Sequence, residues 1–285
     1  MWIAFAFGSA LFAGITAILA KIGIKNTDSD VATAIRTIII LIFSWIMAFL
    51  VGSVDSITTI SSKTLIFLIL SGLATGGSWL CYFKALQLGD VNKVTPTDKS
   101  STVLTMLMAF FFLGEGLGVL KIVSIVSIGI GTYMMITKKE TDKKTTGSSW
   151  LIFAILSAVF ASLTAILGKI GISDIESNLG TAIRTVVVLI MAWVVVFATG
   201  KKDKLKNIDG KSMLFICFSG ITTGLSWLCY YKALQDGLAS VVVPIDKLSI
   251  VITIAFSYFI LKEKLSLKAF IGLVLIVIGT LLLLI

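Results

Sequence analysis

Apolar stretches of about 20 residues recur ten times along this 285-residue chain, and 285 divided by ten leaves only about 28 residues for each stretch with its loop. A stretch of that length crosses the roughly 30 Å of bilayer hydrocarbon as a helix, because a helix satisfies its backbone amides internally. The composition points the same way. Mean hydropathy is +1.05, and 14% of residues are charged, against about 25% in soluble proteins, which excludes a soluble globular fold. Loops this short hold no folded catalytic module or ATPase motor, and no Gly-x-x-x-x-Gly-Lys phosphate loop occurs. The chain is therefore expected to be an all-α polytopic membrane protein with ten transmembrane helices.

Self-comparison sets the arrangement of those helices. Residues 16–24 return as residues 164–172 with one change, Ala20 to Gly168, at an offset of 148. Residues 33–37, 78–82 and 84–87 return at the same offset. Pro96-x-Asp98-Lys99 becomes Pro244-x-Asp246-Lys247, and Glu115 and Gly131 become Glu263 and Gly279. The first repeat, 1–137, is read as spans at about 2–22, 31–51, 64–83, 92–113 and 117–137. Residues 138–148 form a linker, and the second repeat, 149–285, has spans at about 149–170, 179–199, 212–231, 240–261 and 266–285. Five is odd, so the second half must enter the membrane the other way up. Two inverted five-helix repeats are a construction of secondary transporters. The first span matches the span at 149–170, which cannot be a cleaved leader, so it is expected to be retained.

The formal charge of +9 is spread through short loops, where it orients helices and does not form a nucleic-acid patch. Sixteen loop lysines fall on the side of the linker and four on the other, which places the linker in the cytoplasm and both termini outside the plasma membrane. The chain has no His, so the usual metal ligand and proton shuttle are missing. Cys81, Cys217 and Cys229 lie in apolar spans and read as packing residues, not as a disulfide or metal framework. No metal, cofactor or catalytic residue is assigned, and the chain is not expected to be an enzyme.

The chain's only two arginines, Arg36 and Arg184, and only two prolines, Pro96 and Pro244, are repeat partners. An ionised side chain inside a span costs a few kcal/mol on the mildest scale, so each Arg should face the bundle interior with a partner. By depth, Arg36 is matched with Asp98 and Arg184 with Asp246, either as salt bridges locking helices or as substrate and coupling groups. Lys99 and Lys247 follow about 100° round the helix. Thr75, Trp79 and Tyr82 lie at i, i+4 and i+7, repeated by Thr223, Trp227 and Tyr230, while Ser9 and Thr16 share a face of the first span and Thr164 repeats Thr16. Trp and Tyr near span ends either form an interfacial belt or wall a cavity. Each Pro either starts its helix or serves as a hinge.

Two five-span repeats, a fourth span with an early Pro, and closure of that span at Gly114-Glu115 and Lys262-Glu263 before a Gly-bearing fifth span resemble an EamA-type member of the drug/metabolite transporter superfamily. The resemblance implies a ten-helix secondary transporter, often an exporter of amino acids or other small metabolites, with some relatives carrying sugars or nucleotide sugars. It aligns the family's fourth-span Pro with Pro96 and Pro244. The family is usually apolar just after that Pro, so Asp98-Lys99 and Asp246-Lys247 are particular to this chain.

The expected function is alternating-access transport of a small carboxylate-bearing or zwitterionic metabolite, amino acids first. The pathway residues are Thr16, Arg36, Trp79, Tyr82, Asp98, Lys99, Thr164, Arg184, Trp227, Tyr230, Asp246 and Lys247. An Arg would clamp the carboxylate, the Trp rings would stack an apolar part, and Asp98 or Asp246 would take any coupling proton. The expected partners are a small-molecule metabolite, the lipid bilayer and, for coupling, protons, with the monomer as the functional unit. A transporter of drugs or hydrophobic cations and a non-transport membrane enzyme are the alternatives. A channel would be told apart by single-channel currents.

Overall fold

The computed structural model describes residues 1–23, 27–88, 97, 100–135, 149–259 and 266–285. All regular structure among them is helical. The elements are α1 (Trp2–Gly23), α2 (Ser29–Leu50), α3 (Ser62–Leu88), α4 (Ser101–Leu113), α5 (Val119–Met134), α6 (Ser149–Gly171), α7 (Ser177–Ala198), α8 (Gly210–Asp236), α9 (Ala239–Lys247), α10 (Ser249–Phe259) and α11 (Leu267–Leu281). Eight segments are long and apolar enough to cross a membrane, with α9 and α10 together counting as one. Helices α4 and α5 are apolar but have 13 and 16 residues. At 1.5 Å per residue, 13 residues span about 20 Å, short of the hydrocarbon thickness. The linker read at 138–148 lies outside the described residues.

The repeat in the sequence reappears as exchanged contacts. Ser78 Oγ lies 3.3 Å from Ser157 Oγ, and the partners at the 148 offset, Ser226 and Ser9, lie 3.3 Å apart as well. Thr75 approaches Thr164 at 3.3 Å, and Thr223 approaches Thr16 at 3.5 Å. Helix α3 thus packs on α6, and α8 packs on α1, each third helix lying against the first helix of the other half. Equivalent helices also pack directly, α2 on α7 and α5 on α11. They run antiparallel: the start of α2 meets the turn after α7, and Gly131, late in α5, meets Gly272, early in α11. A Cβ on Gly131 would stand 2.5 Å from the Gly272 carbonyl oxygen, so these backbones touch only because both residues are Gly.

The ninth span, expected as one helix over 240–261, is broken. Pro244 sits inside α9, where it has no N–H to give the Ser240 carbonyl, and the helix stops three residues later at Lys247. The chain turns through Leu248, whose N–H bonds the Ile245 carbonyl at 3.0 Å, and Val251 N–H bonds the Leu248 carbonyl at 2.9 Å. These are tight three-residue bonds in place of helical four-residue ones. Pro244 therefore does not start α9, which begins at Ala239. Pro96 lies outside the described residues.

One end of the bundle is tied by side chains that hold backbone ends. Glu115 is buried, and its carboxylate accepts the N–H groups of Ala239 at 2.6 Å and Ser240 at 2.9 Å, capping α9 from the other repeat. Gln235 donates to the carbonyls of Ile172 at 2.6 Å and Ile175 at 2.5 Å. Lys169 donates to the carbonyls of Leu234 and Gly237.

An ion cluster pins the start of α2 to the turn after α7. Lys201 pairs with Asp30 and, at 3.2 Å, with Asp28, while Lys204 lies 2.9 Å from Asp28. Burial acts to raise the Asp28 pKa, but hydrogen bonds from Lys204, the Asp30 N–H and Lys201 outweigh it and hold the group below the ordinary carboxylate value. Burial acts to lower the Lys201 pKa, but its bonds to Asp30 and Asp28 raise it above the ordinary lysine value. The depressed Asp28 contributes stability that is fully present above about pH 4 and is lost as pH falls through its folded value. The raised Lys201 contributes stability that is fully present below its unfolded value and is lost as pH rises through the folded one. Lys201→Met should therefore lower stability by about 1–3 kcal/mol at neutral pH, and the gap to wild type should close on acidification. Thermal unfolding in detergent at pH 7 and at pH 3 reads this; an equal gap at both would refute the cluster's role.

Candidate functional site

A cavity of about 350 Å³ lies among α1, α2, α3, α6, α7, α8 and the α9–α10 joint. That is the small end of the range for small-molecule sites, which runs to about 1,000 Å³. Nine of the twelve residues read from the sequence line it: Thr16, Arg36, Trp79, Thr164, Arg184, Trp227, Tyr230, Asp246 and Lys247. Asp98 and Lys99 lie outside the described residues.

Tyr82 requires a correction. It does not line the cavity but packs near Ala85, Ala154, Trp150 and Phe153. Seven residues of helix keep it on the face of Thr75 but carry it about 10 Å along the axis, past the cavity's end. Its repeat partner Tyr230 does reach the cavity, because the space extends along α8 toward the break between α9 and α10.

Arg184 is 2% exposed and held from several sides. Its Nε donates to Ser71 Oγ at 2.9 Å and one terminal nitrogen to Thr75 Oγ1 at 2.5 Å. Ser71 in turn donates to the Thr164 carbonyl at 2.8 Å, which leaves its lone pairs for the guanidinium. The guanidinium carbon lies 5.1 Å from the Trp227 ring centre and 5.0 Å from that of Tyr231, both within cation–π range. Gly168 makes room for this, since a Cβ there would be 2.8 Å from Tyr231 Cε1. Arg184 and Asp246 line the same cavity with no salt bridge between them, and Arg184 gives its hydrogen bonds to hydroxyls of α3, which packs on α7.

Asp246 sits at the end of α9 with its side chain 14% exposed. Its Oδ1 accepts the Ser9 hydroxyl at 2.5 Å, and Ser226 donates to the Ser9 carbonyl at 3.1 Å. Its Oδ2 lies 3.4 Å from Lys247 Nζ, a pair too exposed on the lysine side to add much stability. Arg36 also lines the cavity, and its Nε is buried with no hydrogen-bond partner. Among the described residues three cations and one carboxylate line the space, an excess of positive charge suited to an anionic group.

Tyr231, Ser71 and Glu115 carry more of this architecture than their sequence positions suggested. The available signal for Tyr231 and Gly168 was departure from the repeat, since their partners are Phe83 and Ala20. Among the described residues no three His, Cys, Asp or Glu side chains group to hold a metal ion.

Comparison with known proteins places this architecture. The chain is similar to a Sinorhizobium protein described as an uncharacterized transporter in the cobO 3' region, 47% identical over 135 residues that make up 47% of this chain and 96% of that protein. It is also similar to an uncharacterized transporter of Archaeoglobus fulgidus, 25% identical over 205 residues, which are 72% of this chain and 70% of that one. A solved crystal structure shares the fold with a TM-score of 0.79 at 15% identity, covering 98% of this chain and 95% of the other. The profile of the EamA-like transporter family matches residues 1–137 and again residues 148–285. With both halves matched and eight described segments able to cross a bilayer, this chain is a multi-pass membrane protein that belongs to the EamA-like transporter family.

Proposed function

We propose that the protein is a secondary active transporter, not an enzyme, that moves a small carboxylate-bearing or zwitterionic metabolite, amino acids first, across the plasma membrane by alternating access. The observation that carries this reading is the small cavity with a cationic excess and aromatic walls, placed among helices contributed by both halves. An Arg offers a carboxylate two parallel hydrogen bonds, and Trp79 and Trp227 offer faces for an apolar side chain. Asp98 or Asp246 would take a coupling proton, and Asp246 is the carboxylate that lines the cavity among the described residues. The topology that goes with it is ten spans in two inverted repeats, 1–137 and 149–285, joined by a cytoplasmic linker over 138–148, with both termini outside and the monomer as the working unit. Its support is that the equivalent helices α2 and α7, and likewise α5 and α11, lie side by side and antiparallel, as inverted entry requires.

Two measurements test this. Lys202→Cys, at an exposed position on the lysine-rich side, should resist an impermeant thiol reagent added to sealed cells. Labelling from outside would reverse the orientation. Purified protein in proteoliposomes should take up one or more of the standard amino acids saturably, in a screen that includes sugars, nucleotides and quaternary ammonium compounds, with and without a pH gradient. Uptake of the ammonium compounds and of no amino acid would move the protein to cation efflux.

A further inference from the structure

The repeat presents Arg36 and Arg184 as the same residue twice, and their backbones are set alike. A Cβ at Gly72 would lie 3.3 Å from the Arg184 carbonyl oxygen, and one at Gly220, the partner of Gly72, 3.1 Å from that of Arg36. Each guanidinium also has an equivalent pair of hydroxyls on the third helix of the other half, Ser71 and Thr75 for Arg184, Ser219 and Thr223 for Arg36.

The side chains nevertheless diverge. Arg184 is clamped by both of its hydroxyls and lies over two aromatic rings, with one terminal nitrogen buried and unpartnered. Around Arg36 the equivalent hydroxyls donate to backbone carbonyls, Ser219 to Ile216 at 2.9 Å and Thr223 to Ser219 at 2.6 Å, as Thr75 also does to Ser71 at 3.0 Å, but neither Ser219 nor Thr223 accepts a bond from the guanidinium. Among the described residues no hydrogen bond, ion pair or ring contact reaches the Arg36 guanidinium, although its Nε is buried and the residue lines the cavity. A buried donor without a partner is costly, and Arg184 has one as well; Arg36 differs in that none of its donors is engaged among the described residues, which makes its fork a ready receptor for a planar anion.

We infer that the two arginines have separate tasks: Arg36 takes up the anionic group of the transported molecule, a carboxylate or an anion of similar size, while Arg184 is a fixed cation that shapes the cavity without binding the ligand. This rests on the reading of the cavity as the substrate site. The difference is written into the second half by Tyr231 and Gly168. These two residues give Arg184 a second aromatic face where the first half has Phe83 and Ala20.

Phenylglyoxal, which condenses with free guanidinium groups, tests the division directly, because peptide mass spectrometry need distinguish only two arginines. In vesicle-reconstituted protein Arg36 should react at least about tenfold faster than Arg184, whose charge-assisted bonds must open first. The Ser71→Ala, Thr75→Val double variant, which removes the clamp, should bring Arg184 close to the rate of Arg36. A panel of the standard amino acids, simple mono- and dicarboxylates and inorganic phosphate should contain a member that slows the reaction at Arg36 and leaves Arg184 unchanged. Protection by an amino acid supports both this assignment and the proposed substrate class. Protection only by another anion supports the Arg36 assignment and removes amino acids as the substrate. Equal reactivity of the two arginines, or an Arg36 reaction that no anion slows, overturns the assignment even where amino-acid uptake is intact.

Discussion

Proteoliposomes carrying Asp246→Asn are expected to exchange labelled substrate across the bilayer but to lose its accumulation against a pH gradient. The amide matches the carboxylate in size and can still accept the Ser9 hydroxyl that meets Oδ1 at 2.5 Å, so the end of α9 should keep its place. What it cannot do is carry a proton, and with no His in the chain only the repeat partner Asp98 is the expected alternative carrier. One pH unit stores about 1.4 kcal/mol per proton, so coupling to one proton concentrates substrate up to about tenfold per unit and an uncoupled carrier not at all. Accumulation followed with the substrate identified by the uptake screen, beside counterflow under equal pH, separates the two. A variant that still accumulates substrate as wild type does would free Asp246 from any coupling role.

The second large effect is structural. Glu115→Ala should destabilise the protein by about 2–4 kcal/mol, because it strips two charge-assisted bonds from buried N–H groups at the start of α9 and leaves both unsatisfied. Glu115→Gln keeps an acceptor without the charge and should lose about half as much. Unfolding by denaturing detergent, followed by tryptophan fluorescence, gives the order wild type, Gln, Ala. An Ala variant as stable as wild type would mean that the capping bonds contribute nothing in the bilayer.

Much of the site was legible in residue identity and spacing. Arg36, Arg184 and Asp246 stood out because an ionised group in an apolar span must turn inward, and Thr16, Thr164, Trp79 and Trp227 because helical spacing put them on polar faces. Tyr82 shows the limit of that reasoning. Periodicity gives the face of a helix but not how far along the axis a cavity extends, and that depends on where the neighbouring helices part. The hydroxyls that hold Arg184 were not legible for a related reason: depth in the membrane can be counted along a sequence, whereas the approach of α3 to α7 cannot.

By itself the sequence determined that the chain is helical, enters a bilayer and is built twice, since hydropathy, span length and a constant offset of 148 are properties of the chain alone. Only the tertiary structure decided that α9 breaks beside Asp246, that Glu115 caps a helix of the opposite half, and that two arginines equivalent in the repeat end in unlike surroundings. Each of these depends on which hydroxyl, ring or backbone amide another helix brings within about 3 to 5 Å, the range over which hydrogen bonds and cation–π contacts act. A repeat that dictates equal backbones leaves those last few ångströms to the residues in which its halves differ.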